Sequence, residues 1–175
     1  MKKSTIIISI LSTMFTVLLA CSSLGQKDSN LPDKLIDIPT GLEVKHSDTI
    51  VYAIINEKDP DKYGKYKWHF ETTVTAISED LKIVEFGAYL WLDNEWVLRT
   101  IYDRPFNQVE FEKWYSCESA LLKKGQSCTD KNNWSKAHRL EGQKTKALWY
   151  FIGVNANDDK FKGTAEITTI GELKK

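Results

Sequence analysis

Tyr66-Lys67-Trp68-His69-Phe70-Glu71-Thr72-Thr73-Val74-Thr75-Ala76 decides the fold class, because it alternates along its whole length. Tyr66, Trp68, Phe70, Thr72, Val74 and Ala76 fall on one side, opposite Lys67, His69, Glu71, Thr73 and Thr75. A period of two marks a strand with one buried face, and ring and β-branched residues suit a pleated surface. The turn formers Asp59-Pro60-Asp61 and Gly64 precede it. Leu81–Leu92 follows and is apolar on both faces, which predicts a central strand covered from both sides. Asp93-Asn94 predicts a tight turn into a strand over Trp96–Tyr102.

Further out, Thr49–Asn56 and Thr145–Val154 are rich in branched and aromatic residues. Asn155-Ala156-Asn157-Asp158 then turns the chain into Lys160–Ile170, where Phe161, Gly163, Ala165 and Ile167 alternate. Asn107 followed three residues later by Glu110 is a capping-box pattern, predicting a short helix to about Tyr115. Leu121–Gly142 is polar and reads as a loop. About seven strands with short turns predict a mainly β domain. An antiparallel β-sandwich, Ig-like in general architecture with one short helix, comes first; a small β-barrel comes second.

The N-terminus carries an address. Lys2 and Lys3 precede the uncharged run Thr5–Ala20, whose sixteen residues span roughly 24 Å as a helix, short of the ~30 Å hydrocarbon core. A basic start, a short apolar run and a small final residue form a secretory signal. Leu18-Leu19-Ala20-Cys21 resembles the lipobox of bacterial lipoproteins. The resemblance implies that the Cys21 thiol accepts a diacylglycerol group, that cleavage precedes it, and that the mature protein is tethered to a membrane. Two or more acyl chains anchor firmly, at about 0.8 kcal/mol per buried CH₂. Under the Gram-negative sorting rule, Ser22 after the lipidated Cys implies the outer membrane, facing the periplasm. The expected organisation is a signal peptide over 1–20, lipidated Cys21 and a flexible tether over 21–39, and one domain over 40–175.

The whole chain balances 24 basic against 24 acidic residues. Removing the first 20 of its 175 residues takes Lys2 and Lys3, leaving 155 residues with 22 basic against 24 acidic, a formal charge of −2. That balance argues against a duplex nucleic-acid binder, which needs a basic excess. With 42% apolar and 27% charged residues, the chain can fold around a core.

Once Cys21 is lipidated, Cys117 and Cys128 are the remaining thiols in an oxidising compartment and are expected to form a disulfide. A metal site using them with His138 is the weaker alternative, since no CxxC or HxxxH spacing supports it. Leu121–Lys146 holds seven basic residues against Asp130 and Glu141, beside Trp134. Lys123, Lys124, Trp134, Lys136 and Arg139 are therefore candidate contacts for an envelope protein, a glycan or an anionic headgroup. The plainer reading of this stretch is a solvated basic loop. Trp68, Trp91, Trp96 and Trp149 lie in strand patterns and are expected to fill the core.

Glu85 interrupts the apolar run Leu81–Leu92, and a buried carboxylate must be paired or protonated. Arg99, across the Asp93-Asn94 turn, is its candidate partner in a buried ion pair. The chain holds no Gly-x-Ser-x-Gly, no His-Glu-x-x-His and no glycine-rich phosphate loop. His46, His69 and His138 stand apart in sequence, so no catalytic residue, metal site or cofactor is assigned. The leading expectation is a non-enzymatic envelope lipoprotein that binds or scaffolds. The alternatives are a tethered carrier of a small apolar ligand, favoured by a large apolar cavity, and a periplasmic hydrolase, favoured by convergent polar groups in a cleft.

Overall fold

The computed structural model describes residues 31–174. In chain order the elements are helix α1 (Asp33–Ile36), strands β1 (Leu42–His46) and β2 (Ile50–Ile55), helix α2 (Pro60–Tyr63), and strands β3 (Tyr66–Ala76), β4 (Leu81–Leu92), β5 (Glu95–Leu98) and β6 (Phe106–Asn107). Helix α3 (Gln108–Tyr115) and strands β7 (Leu121–Leu122), β8 (Ser127–Ala137), β9 (Lys144–Val154) and β10 (Lys160–Leu173) complete them. Mainly β with a few short helices is the expected class. The ten strands belong to one sheet that curls into a half-barrel, nearer the barrel alternative than a pair of stacked sheets.

The sheet path runs β3, β2, β10, β9, β4, with β1 beside β3 and β5, β6 and β7 along the far side of β4. Most pairs are antiparallel, but β2 and β10 pair in parallel, Thr168 with Ile50 through Ile170 with Tyr52. The alternation of β3 holds: Trp68, Phe70, Thr72, Val74 and Ala76 are buried, and His69 and Glu71 are exposed. Asp93 and Asn94 both take positive φ, 50° and 66°, in the two-residue turn joining β4 to β5. In β10, a Cβ at Gly163 would stand 2.6 Å from the Leu42 Cβ, so β1 can cross that closely only over glycine.

Two regions depart from expectation. Residues 33–36, assigned to the tether, are helical, and Leu35 is fully buried. Leu31, Leu35 and Ile38 pack on Tyr89, Leu148, Tyr150 and Ile152, the outer face of β4 and β9. The segment is thus a strap over the sheet, and Lys162 fastens it by donating 2.6 Å to the Leu35 carbonyl. The second departure is the expected loop Leu121–Gly142. It contains β8, which pairs with β3 from Thr75 opposite Ser127 to Tyr66 opposite Ala137. This strand lacks apolar alternation because only Cys128 and Asn133 are buried on it. Paired hydroxyls hold it instead: Thr73 to Thr129 and Thr75 to Ser127, both at 2.8 Å.

Candidate functional site

The two lateral margins of the curled sheet are β8 on one side and the β5–β6–β7 row on the other. Helix α3 packs against both β8 and β4, bridging the margins at one end. Its start follows the capping box: Asn107 Oδ1 accepts from Val109 and Glu110 backbone N–H groups, and Glu110 accepts from the Asn107 N–H at 2.7 Å. Beneath the helix, Phe86 is surrounded by Phe106, Phe111, Trp114, Tyr115 and Phe151 at 5.0–5.8 Å between ring centres. Just past α3, Cys117 is bonded to Cys128 of β8, with Cα atoms 5.8 Å apart. The expected disulfide is therefore present, and it staples the helix end to the sheet margin.

Beyond this plug the margins stay apart and a cleft of about 880 Å³ opens between them. Small-molecule sites commonly occupy about 300–1,000 Å³. Trp68, Phe70 and Trp149 form much of its wall, with Phe70 and Trp149 edge to face at 6.1 Å. Trp68 is fixed there by an indole N–H bond of 2.7 Å to the Ile170 carbonyl. The space exists because the same concave face presents small residues, Ala88, Ala147, Thr145, Thr169 and Gly171, beside those rings. Of the strand tryptophans expected to fill a core, Trp68 is buried, Trp96 and Trp149 are half-buried, and Trp91 is exposed; Trp68 and Trp149 also line this cleft.

Polar groups converge from three elements. Arg99 lies just past β5, Lys113 on α3, and Asp130, Asn132 and Asn133 on β8. Asn133 is buried and donates at 2.9 Å to the Thr72 hydroxyl, which bonds His46 Nδ1 at 3.0 Å. Burial lowers the His46 pKa, opposed by a backbone hydrogen bond with Ala165, and so favours the neutral ring. Burial raises the Asp130 carboxyl, against bonding to the Asn132 N–H. Tyr115 behind it is pushed well up, first by burial and then by the Asp130 charge.

The structure separates the sequence-derived candidates. Glu85 pairs with Lys34 of the strap and accepts a 2.7 Å bond from the Tyr150 hydroxyl, so Arg99 is not its partner. The reason is strand parity: the Arg99 N–H bonds the Ala88 carbonyl, three residues on from Glu85, so the Arg99 and Glu85 side chains lie on opposite faces, while β6 brings Asn107 beside Glu85. Lys123 and Lys124 sit in the β7–β8 turn, where Lys123 pairs with Asp80 at 2.9 Å and the Lys124 N–H bonds the same carboxylate at 2.8 Å. Lys136 and Trp134 lie near the other end of β8, whose eleven residues span roughly 35 Å at strand rise. Trp134 is 40% exposed, meets Tyr63 edge to face at 6.2 Å, and carries Lys136 over its ring at 5.8 Å. Lys136 therefore stands on a strand rather than in a loop, and the five basic-patch candidates do not form one surface; Arg139 lies exposed just past β8. Cys21 lies outside the described residues.

Sequence reasoning missed the cleft. Its signal was the small residues Ala88 and Ala147, lying within otherwise bulky strands. Among the described residues, no cluster of three or more His, Cys, Asp or Glu side chains is placed to hold a metal ion, and no helix is long and apolar enough to cross a membrane. No family model matches the chain, and no curated protein does. A solved structure described as an ApaA protein from Bordetella pertussis is similar at 11% identity and a TM-score of 0.43, over 75% of this chain and 94% of that one.

Proposed function

We propose that the chain is a lipid-anchored envelope protein that binds a small apolar ligand in the cleft of its curled sheet and does not transform it. The observation that carries the binding half is the cleft itself: about 880 Å³, walled by Trp68, Phe70 and Trp149, and held open by Ala88 and Ala147. The cleft lining contains one carboxylate, Asp130, and neither imidazole nor thiol. The anchoring half rests on the lipobox resemblance at Leu18–Cys21.

Both halves can be tested on the full chain in its own membranes. Cys21→Ala should move the protein out of the lipid-modified fraction, read as loss of the acyl mass on the N-terminal peptide. A diazirine-bearing long-chain alcohol should label β9 peptides, and Ala147→Trp should reduce that labelling by filling the cleft. Unchanged lipidation in the first case, or labelling indifferent to Ala147→Trp in a folded variant, would overturn the corresponding half.

A further inference from the structure

The lining of the cleft carries more cations than anions. Lys34, Lys45, Arg104, Lys123 and Lys146 each have a carboxylate partner: Glu85, Glu43, Glu110, Asp80 and Glu166. Arg99, Lys113 and Lys136 line the cleft, and none of them forms an ion pair among the described residues. Lys136 is occupied differently, lying over the Tyr63 and Trp134 rings at 5.2 and 5.8 Å. Set against Asp130, three cations and one carboxylate leave the lining with two surplus positive charges, on a chain whose total is zero.

Position adds direction to that surplus. The Arg99 N–H bonds the Ala88 carbonyl at 2.9 Å, continuing the β4–β5 register one step, so its side chain shares the concave face with Ala88. Lys113 reaches the same space from α3, next to Trp114. Arg99 follows β5 and Lys113 stands on α3, which packs against β4 and β6, whereas Trp68 and Ala147 line the cleft from β3 and β9. The cleft thus joins cations after β5 and on α3 to an apolar wall, and its β8 margin adds Asp130, Asn132, Asn133 and Lys136.

We infer that the ligand is an anionic amphiphile: a carboxylate or phosphate head held by Arg99 and Lys113, with a hydrocarbon or ring body against Trp68, Phe70 and Trp149. This rests on the binding reading above and names the chemical class that the site selects. A guanidinium presents paired donors matched to either oxyanion, and an ammonium adds a point charge, so both head types share one recognition chemistry. The apolar wall alone would accept a neutral chain. The unpaired cations are what distinguish an acid from its alcohol.

The test uses the full chain in membrane vesicles and three diazirine probes of equal chain length: a carboxylate, a phosphate monoester and an alcohol. Labelling is read by mass spectrometry on cleft peptides. The charged probes should label at about tenfold lower concentration than the alcohol, a preference corresponding to one charge-assisted hydrogen bond. The stronger of the two identifies the head. Arg99→Gln with Lys113→Gln should erase that preference while leaving alcohol labelling unchanged; both side chains are exposed, so the fold is not at stake. Equal labelling by all three probes, or a preference that survives the double substitution, overturns this inference and leaves the apolar cleft standing. Absence of labelling by every probe overturns both.

Discussion

The Tyr150 hydroxyl donates a 2.7 Å hydrogen bond to Glu85 on the outer face of the β4–β9 ladder, and Lys34 pairs with the same carboxylate oxygen. Gly87, opposite Tyr150, makes this possible, because a Cβ there would stand 3.1 Å from the ring. Burial pushes the Tyr150 pKa up, and the bond to Glu85 and its charge push it further, so the phenol remains a donor. Tyr150→Phe should therefore cost about 1–2 kcal/mol, the net worth of a hydrogen bond to a partly screened charge. Urea denaturation checks this: the midpoint should fall with the slope unchanged.

The strap should contribute to stability like part of the core. Leu35 is fully buried, and truncating a buried Leu costs about 2–5 kcal/mol. Leu35→Ala should fall in that range, and proteolysis should then begin within residues 31–39. Lys34→Ala, which removes a partly exposed partner, should cost less than about 1 kcal/mol. A Leu35→Ala protein as stable as wild type would show that the strap is dispensable.

What was legible in the sequence was whatever one local pattern determines. Asn107 and Glu110 cap α3, Asp93-Asn94 makes the hairpin turn, and the alternation from Tyr66 to Ala76 orients β3. What stayed hidden depends on pairing between distant segments. Strand β8 is polar because its hydroxyls bond those of β3, so apolar periodicity could not reveal it. The strap has three apolar residues in a proline-bounded stretch, too few for a period, and gains its role only against β4 and β9. Glu85 meets Tyr150 and the strap's Lys34, both distant in sequence, while Arg99 lies opposite Ala88 on the other face of the β4–β5 pair. Arg99 is thereby left to the cleft.

The α3 cap should give the protein an acid-sensitive increment. Arg104 holds the Glu110 carboxyl below its ordinary value through paired hydrogen bonds at 2.7 and 3.0 Å, partly opposed by burial and assisted by the Asn107 N–H. A depressed folded-state pKa contributes stability above the unfolded value and loses it as pH falls through the folded one. Glu110→Gln should thus be less stable than wild type at pH 7 by about 1 kcal/mol, a figure discounted because Arg104 is half exposed. The gap should close as acidification proceeds below about pH 4, where both side chains are neutral. A gap independent of pH would assign the cost to packing instead.

The disulfide should act on the cleft as well as on stability. Cys117 and Cys128 are eleven residues apart, and a loop of that size gives about 3 kcal/mol of loop entropy. Its location matters more than its size, because it joins the end of α3 to β8 and both elements line the cleft. The aromatic cluster around Phe86 should keep α3 docked when the bond is absent, since Phe111 and Tyr115 are almost completely buried. A Cys117→Ser, Cys128→Ser variant should therefore remain folded at 25 °C with its unfolding free energy reduced by about 3 kcal/mol. The loss should be uneven under native-state hydrogen exchange. Amides of α3 and β8 should open by low-energy local fluctuations, while those of the β9–β10 ladder should follow only the global change. Alcohol labelling of the cleft should weaken with them, because a freed α3 no longer fixes the end of the wall. Uniform acceleration across all strands, with cleft labelling intact, would make the bond a global brace with no part in shaping the site.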